Sequence, residues 1–262
     1  MPIWDFMIDM DHSWGMYKIH NYLVKKIWVM DLHTHYRIWA VSDYFKKENI
    51  KDKYINILEI WCWMWNNLIE IHKIDTNISA VWYDMDLESI NYWKKVIKYN
   101  NIKNIHLHNE NAVNLKVSWE KAYDYILLID FLEHIEDDKG FIKSISHLFA
   151  NNPKIVVSVP THKYKKIFWE SFHKDIWHVR DWYSINQLIP LFEPYGYTLE
   201  YKKYHSWLIS QIWLYLSYRV HFKIRYLEFL KKLFLLLVFK KLDFINWPSK
   251  SCSLFCVFKK KS

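Results

Sequence analysis

The sequence predicts an α/β protein with a doubly wound, mostly parallel sheet of seven strands. From residue 54 onward, short runs rich in β-branched and aromatic residues alternate with longer segments of helical periodicity, as in repeated strand–helix units. The chain has 262 residues, of which 52% are apolar, so it can bury one full core of this kind. We therefore expect one main domain with appendages.

Local patterns place the individual elements. Strands are expected at 54–60, 78–83, 105–108, 123–129, 154–159, 198–204 and 253–259. Helices are expected at 31–47, 66–74, 87–100, 138–149 and 185–195. The last helix has a capping box, with Ser184 as N-cap and Gln187 three residues later, and Gly196 as its C-terminal stop.

These elements divide the chain into four regions. Residues 1–50 are expected to form an N-terminal helical cap over the site, 51–205 the core, 206–250 a basic amphipathic helical insertion, and 251–262 the last strand with a basic tail. The charge is uneven, because residues 201–262 carry thirteen Lys and Arg but two acidic residues. Such a basic tail indicates an anionic membrane surface or nucleic acid as partner, or else a solvated face.

We expect a cytoplasmic protein without a leader or a membrane-spanning segment. The longest uninterrupted apolar run, 233–239, is much shorter than the roughly 20 residues that cross a bilayer. Cys62, Cys252 and Cys256 lack the spacing of a zinc site or a disulfide framework, which fits a reducing compartment.

Glycine is rare in this sequence and tryptophan is abundant. The chain has 3 Gly and 16 Trp, whereas a globular chain of this length holds about 18 glycines. One hypothesis is that the gene uses UGA for glycine and that the sequence was translated with UGA as tryptophan. The alternative is a protein that is genuinely rich in tryptophan.

The turn after the first strand carries the most informative motif. Residues 56–65 read Asn-Ile-Leu-Glu-Ile-Trp-Cys-Trp-Met-Trp, an apolar strand that leads directly into a helix. With glycine at 61, 63 and 65, the turn becomes Gly-Cys-Gly-Met-Gly. A turn that passes close under a ligand has no room for a Cβ at such positions. Trp82, in the next strand, also lies where a nucleotide-binding fold needs a residue without a side chain.

Polar residues also follow the next three strands. Asp84 ends the second strand, where a carboxylate can accept hydrogen bonds from both hydroxyls of a ribose, while Asp86 is better placed as a helix N-cap. Asn111 follows the third strand and offers an acceptor oxygen. The fourth strand begins Tyr-Asp and continues into Asp-Phe-Leu-Glu-His-Ile at 130–135.

With these motifs the chain resembles class I S-adenosylmethionine-dependent methyltransferases over about residues 50–200. The turn at 61–65 resembles their first motif, and Leu-Glu-His-Ile at 132–135 is similar to the post-motif of ubiquinone-type and related members of types 11 and 23. The resemblance implies a Rossmann-like fold and S-adenosylmethionine as cofactor. It implies cofactor contacts from Glu59, Trp61, Cys62, Trp63, Trp65, Asp84, Met85, Asn111, Ala112 and Asp130, with Met85 against the adenine.

Histidines are the candidates for the acceptor side. A hydroxyl acceptor needs a general base, a role open to His134 or His178 near neutral pH, with Glu133 beside them. Residues 175–184 are similar to a segment common in the same group, so that His173, His178 and Arg180 either face the acceptor or pin the loop.

A metal is the less favoured expectation at this position. In some relatives an acidic-x-x-Glu-His cluster with a later histidine holds a divalent cation, which would make ligands of Asp130, Glu133, His134 and His178. The favoured alternative is that Glu133 and His134 shape the pocket and hydrogen-bond the backbone, with no metal.

The insertion bears on the class of acceptor. Its leucine, phenylalanine and tyrosine residues alternate with lysines and arginines, a pattern that can lie in a bilayer interface and attract anionic lipid. We expect methyl transfer to a hydroxyl of a small-molecule, lipid-linked or glycan-linked acceptor at the inner face of the membrane. The alternatives are core packing or a dimer contact for these helices, an RNA methyltransferase, and a catalytically silent binding protein.

Overall fold

A computed structural model of the chain describes residues 32–60, 67–111, 122–163, 178–206 and 251–261, together with residues 212, 227 and 234. Its strands are β1 (Ile55–Ile60), β2 (Ile78–Asp84), β3 (Ile105–Asn109), β4 (Tyr125–Ile129), β5 (Lys154–Pro160), β6 (Tyr197–His205) and β7 (Ser253–Lys260). Its α-helices are α1 (Leu32–Lys47), α2 (Asn67–Ile74), α3 (Leu87–Tyr99), α4 (Asp138–Ile145) and α5 (Ile185–Phe192).

The seven strands form one sheet in the order β3-β2-β1-β4-β5-β7-β6. Strands β1 to β5 pair in parallel, and β7 lies antiparallel between β5 and β6. The predicted seven-stranded, mostly parallel α/β sheet is therefore confirmed. Because β2 and β3 lie on one side of β1 while β4 and β5 lie on the other, the strand order reverses between β1 and β4.

Helices cover both faces of the sheet, as expected for central strands that are apolar along their whole length. All five residues of β4 are buried. One core cluster joins α1, α2 and α3 to the sheet through residues such as Phe45, Ile71 and Trp93. The other joins α4 and α5 to the opposite face through residues such as Ile142 and Leu188.

The predicted helix ends are largely confirmed. The carboxylate of Asp86 accepts hydrogen bonds from the backbone N–H groups of Glu88 and Ser89 at the start of α3. The capping box of Ser184 and Gln187 begins α5, and Gly196 adopts the left-handed conformation at φ +78°. Both predicted helices at 138–149 and 185–195 change to a 3₁₀-helix in their last turns, at Ser146–Asn151 and Glu193–Tyr195.

The N-terminal helix α1 packs on a face of the sheet. Its C-terminal end lies beside the amino ends of β4 and β5, where Glu48 pairs with Lys154 at 2.5 Å and accepts a hydrogen bond from Tyr125. Helix α1 therefore does not cover the carboxyl ends of the strands as the predicted N-terminal cap would, and the rest of that predicted cap, residues 1–31, lies outside the described residues. Most of the 206–250 insertion lies outside them as well. No described helix is both long and apolar enough to span a bilayer.

Candidate functional site

The carboxyl ends of β1, β2 and β4 bring three buried acidic side chains to the edge of the sheet where the strand order reverses. Glu59 lies in β1, Asp84 ends β2 and Asp130 follows β4, and their exposed fractions are 0%, 3% and 4%. In open α/β sheets the crevice at such a reversal is the usual ligand site, because the connections leave in opposite directions there. These residues therefore mark the candidate site.

Glu59 is held by the first residue of the helix that follows it. The Asn67 side chain donates a hydrogen bond to Glu59 Oε1 at 2.6 Å, and both residues are fully buried. This contact brings the end of β1 and the start of α2 together across the turn. The turn itself, with the predicted residues Trp61, Cys62, Trp63 and Trp65, lies outside the described residues. Asn67 was not among the residues predicted from sequence. The pattern that could have pointed to it is a polar residue at the start of an apolar helix.

Asp84 occupies a rigid position at the end of β2. Its Oδ1 accepts a hydrogen bond from the backbone of Asp86 at 2.8 Å, and its carbonyl oxygen accepts bonds from the Asn109 side chain and the Glu110 backbone. Since Asp86 caps α3, Asp84 is not needed for that purpose. Met85 beside it is 49% exposed. Asn111, two residues after the end of β3, is exposed, while Ala112 lies outside the described residues.

Trp82 is enclosed in the core one strand away from Glu59. Its ring lies 6.0 Å from that of Trp93 in α3, and both side chains are buried. Within the described part of the chain, the buried Nε1 of Trp82 has no hydrogen-bond partner. A buried indole N–H usually finds an acceptor, so Trp82 leaves one polar group unsatisfied in the core.

Asp130 turns the chain sharply after β4. Its φ is +49°, a left-handed conformation that L-residues rarely adopt, and its N–H donates to the carbonyl oxygen of Ser158. The Ser158 hydroxyl also lies 3.3 Å from Asp130 Oδ1. These contacts direct the Asp130 carboxylate toward β5.

Glu133, His134 and His178 converge close to this turn. One potential ligand atom from each lies within 4.8 Å of the others. The two imidazole rings are 4.8 Å apart and nearly perpendicular, and Glu133 is 1% exposed. Asp130 is not part of this cluster, so the four-residue ligand set considered from sequence reduces to three. His173 lies outside the described residues.

A second group of polar side chains holds the segment that carries His178. Asp138 forms an ion pair with Arg180 and accepts a hydrogen bond from the Tyr183 hydroxyl at 2.9 Å. We call Asp138, Arg180 and Tyr183 the 138–183 clamp. Burial, followed by the bond to Asp138, raises the pKa of the Tyr183 hydroxyl well above its usual value. Arg180 thus pins the loop, one of the two roles that its sequence motif allowed.

The clamp acts together with two backbone contacts. The N–H groups of Val179 and Arg180 donate to the carbonyl oxygen of Glu133 at 3.0 and 3.1 Å. Tyr183 belongs to the segment 175–184 noted from sequence, but its pairing with Asp138 was not predicted, because it joins residues 45 positions apart.

Comparisons with known proteins agree with this architecture. A search of protein-family models found no match. The coclaurine N-methyltransferase structure bound to N-methylheliamine and SAH superposes with a TM-score of 0.59 at 12% identity, covering 85% of this chain and 70% of that one. The chain has the class I methyltransferase fold. The structure of the 4+2 cyclase SpnF, at TM-score 0.59 and 10% identity over 84% of this chain and 80% of that one, shows that this fold is not tied to one reaction.

One curated relative carries a methyltransferase name. "Probable (S)-tetrahydroprotoberberine N-methyltransferase 2" of Papaver bracteatum is 26% identical over 141 residues, which is 54% of this chain. The match spans only 37% of that protein. The likeness thus supports the fold and does not by itself identify the reaction.

Proposed function

We propose that this chain is an S-adenosylmethionine-dependent methyltransferase that binds its cofactor at the carboxyl ends of β1 and β2. The observation that carries the proposal is the pair of buried acidic residues, Glu59 and Asp84, on adjacent strands beside the reversal of strand order. In this assignment Asp84 accepts hydrogen bonds from the ribose hydroxyls. Met85, Asn111 and Ala112 contact the adenine, and Asp130 is a further cofactor contact.

The turn at 61–65 would carry the rest of the cofactor site. We propose that residues 61, 63, 65 and 82 are glycines in the natural protein, because a turn under the cofactor must bring its backbone close to the ligand. Among the described residues, Trp82 Nε1 has no hydrogen-bond partner. This supports glycine in place of tryptophan at position 82 in the core. A protein with true tryptophans at 61, 63 and 65 would instead be a silent member of the fold.

The acceptor side lies at His134 and His178 in this proposal. The reaction forms a bond from the acceptor atom to the methyl carbon and breaks the bond from that carbon to the sulfonium sulfur. If the acceptor is a hydroxyl, one of these imidazoles accepts its proton, with Glu133 beside the pair. The two N-methyltransferases among the similar proteins favour an amine as the second candidate, since an unprotonated amine attacks without a base.

The insertion offers a route to a lipid-linked acceptor. Its described residues Ile212, Leu227 and Phe234 are apolar and exposed, and they lie in a segment rich in lysine and arginine. We propose that this segment binds an anionic membrane surface. Flotation with anionic liposomes tests it: binding is expected for the full chain and not after deletion of residues 206–250. Absence of binding by the full chain would rule the surface out.

Calorimetry with S-adenosylmethionine tests the proposed function directly. Two versions of the full chain would be compared, the sequence as written and one with Trp61→Gly, Trp63→Gly, Trp65→Gly and Trp82→Gly. We expect binding in the micromolar range by the glycine version and none by the tryptophan version. A folded glycine version that does not bind would overturn the proposal.

A further inference from the structure

A groove runs along the open edge of the sheet, between α3 and β3. Strand β3 stands at one end of the strand order, and none of the other described strands lies beyond it. The groove has a volume of about 580 Å³, which is within the range of ligand-binding clefts. None of its described lining residues belongs to the proposed cofactor site. The groove is therefore a separate surface with no assigned use.

The outer side of β3 offers backbone hydrogen bonds. The carbonyl oxygen of Asn104, directly before β3, accepts the N–H of Ala80 in β2 at 2.8 Å. In a parallel pair, the backbone groups of every second residue turn toward the same neighbouring strand. The residues between them, Ile105, Leu107 and Asn109, therefore turn their N–H and C=O groups away from β2. An extended chain laid along this edge can pair with these groups.

The floor of the groove is apolar. Ile97 and Ile102 are each 9% exposed, Ile105 is buried, and Leu107 is half-buried against the same core cluster. A segment laid along β3 would remove the remaining apolar surface from water, which favours its binding. This contribution adds to the backbone pairing but does not select for a particular charge.

The rim of the groove is basic. Lys94 and Lys98 lie one turn apart on α3, and His106 and His108 alternate with the apolar residues of β3. All four side chains are exposed, and none of the described lining residues is acidic. The lysines carry positive charge, and the imidazoles offer N–H donors. Carboxylates are attracted to such a rim and basic segments are repelled, so the charge selects an acidic segment.

We propose that the edge of β3 binds an acidic, extended segment of a partner protein, which adds a further strand to the sheet. Its backbone pairs with Ile105, Leu107 and Asn109, and its carboxylates contact Lys94 and Lys98. A second copy of this chain fits less well, because two β3 edges paired with each other would bring the lysines of both copies together. Nucleic acid is also anionic, but it lacks the alternating N–H and C=O groups that pair with an edge strand.

Fluorescence anisotropy with a labelled octapeptide of alternating glutamate and valine tests this surface on the full chain. We expect saturable binding that weakens at high salt, because the charges are exposed. Lys94→Glu combined with Lys98→Glu should weaken binding by at least about 10-fold. The matched control is Lys139→Glu combined with Lys143→Glu, which reverses two exposed lysines at the same spacing on α4. This control should bind like the unaltered chain.

Modified peptides test the backbone pairing separately from the charge. Only every second N–H group of an added strand faces β3, so N-methylation of at least one of the two alternate sets should abolish binding. The peptide with lysine in place of glutamate keeps the backbone and reverses the charge, and it should not bind.

Several results would overturn the proposal. They are a folded chain without saturable binding, an equal loss of affinity in the two double variants, and unchanged affinity for both N-methylated peptides. If sedimentation shows a dimer of the chain that the peptide dissociates, the edge is an interface between copies and the partner segment is wrong. None of these results bears on binding of S-adenosylmethionine, so this surface and the methyltransferase function fail separately.

Discussion

At the scale of single residues, the polar side chains at the strand ends were predictable and their supports were not. Glu59 and Asp84 stand out because an acidic residue near the end of an apolar strand is unusual. Asn67 was not singled out from sequence, since a polar residue at the start of a helix is a weak signal and its role depends on the geometry of the turn that brings it to Glu59. The same is true of Ser158, whose contact with Asp130 joins two neighbouring strands.

The identity of residues 61, 63 and 65 can be measured on the protein from the organism that encodes it. Trypsin should release residues 54–73 as one peptide, because no Lys or Arg lies between Lys53 and Lys73. We expect mass spectrometry to show glycine at all three positions. Residues 74–94, which contain Trp82 and Trp93, form the next such peptide and report on position 82 in the same experiment. Tryptophan at 61, 63 and 65 would contradict the proposed cofactor turn.

At the scale of elements, the strands and most helix starts follow from local patterns, whereas helix ends do not. The capping box and Gly196 are local signals and were found. The change from α-helix to 3₁₀-helix at residues 146 and 193 was missed. Near the second change Pro194 lacks the N–H that a continuing helix needs, but the apolar periodicity runs past this point.

The N-terminal cap of helix α4 lies directly against the backbone of the residue three positions later. The Asp137 carboxylate accepts a hydrogen bond from the N–H of Gly140 at 2.8 Å, and a Cβ on residue 140 would overlap that carboxylate. Gly140→Ala should therefore displace the cap and lower the free energy of unfolding by about 1 kcal/mol. Urea denaturation measures this, with Lys139→Ala at the exposed neighbour as control. Equal midpoints for the two variants would show that the cap contributes nothing.

At the scale of the whole molecule, strand order is the feature that sequence patterns left open. Seven strands in a mostly parallel sheet were predicted. In the structure β7 lies between β5 and β6, and its pairing with β5 joins residues that are about 100 positions apart in the sequence. Local periodicity does not contain such long-range pairing. The placement of α1 against the sheet face was missed for a similar reason, because its partners in α2 and β6 are distant in sequence.

Alkaline pH should destabilise the fold as a whole. Burial raises the pKa of Tyr123 to about 12, and it also raises the pKa of other core tyrosines, Tyr44, Tyr125, Tyr183 and Tyr197. Above a pH of about 10 the unfolded chain loses these protons while the folded chain keeps them, so unfolding becomes more favourable. Below a pH of about 10 both states keep these protons, so the buried tyrosines contribute their full share to the free energy of unfolding.

Urea midpoints at pH 8 and pH 11 would show this loss. We expect a lower midpoint at the higher pH and a smaller decrease in Tyr123→Phe, which removes one of the groups. Tyr54 is 72% exposed, so the urea midpoint of Tyr54→Phe should decrease between the two pH values as much as that of the unaltered chain. Identical midpoints at both pH values would be inconsistent with the buried hydroxyls described above.

The most direct test of the cofactor site compares Asp84→Asn with Asp86→Asn in the glycine version of the chain, by calorimetric titration with S-adenosylmethionine. Both changes remove one carboxylate, and asparagine still caps a helix at residue 86. Loss of charged hydrogen bonds to the ribose should cost Asp84→Asn about 1.5–3 kcal/mol, an affinity decrease of roughly 10- to 150-fold. Asp86→Asn should bind like the parent chain. Unchanged affinity in Asp84→Asn, or an equal decrease in both variants, would contradict the assignment.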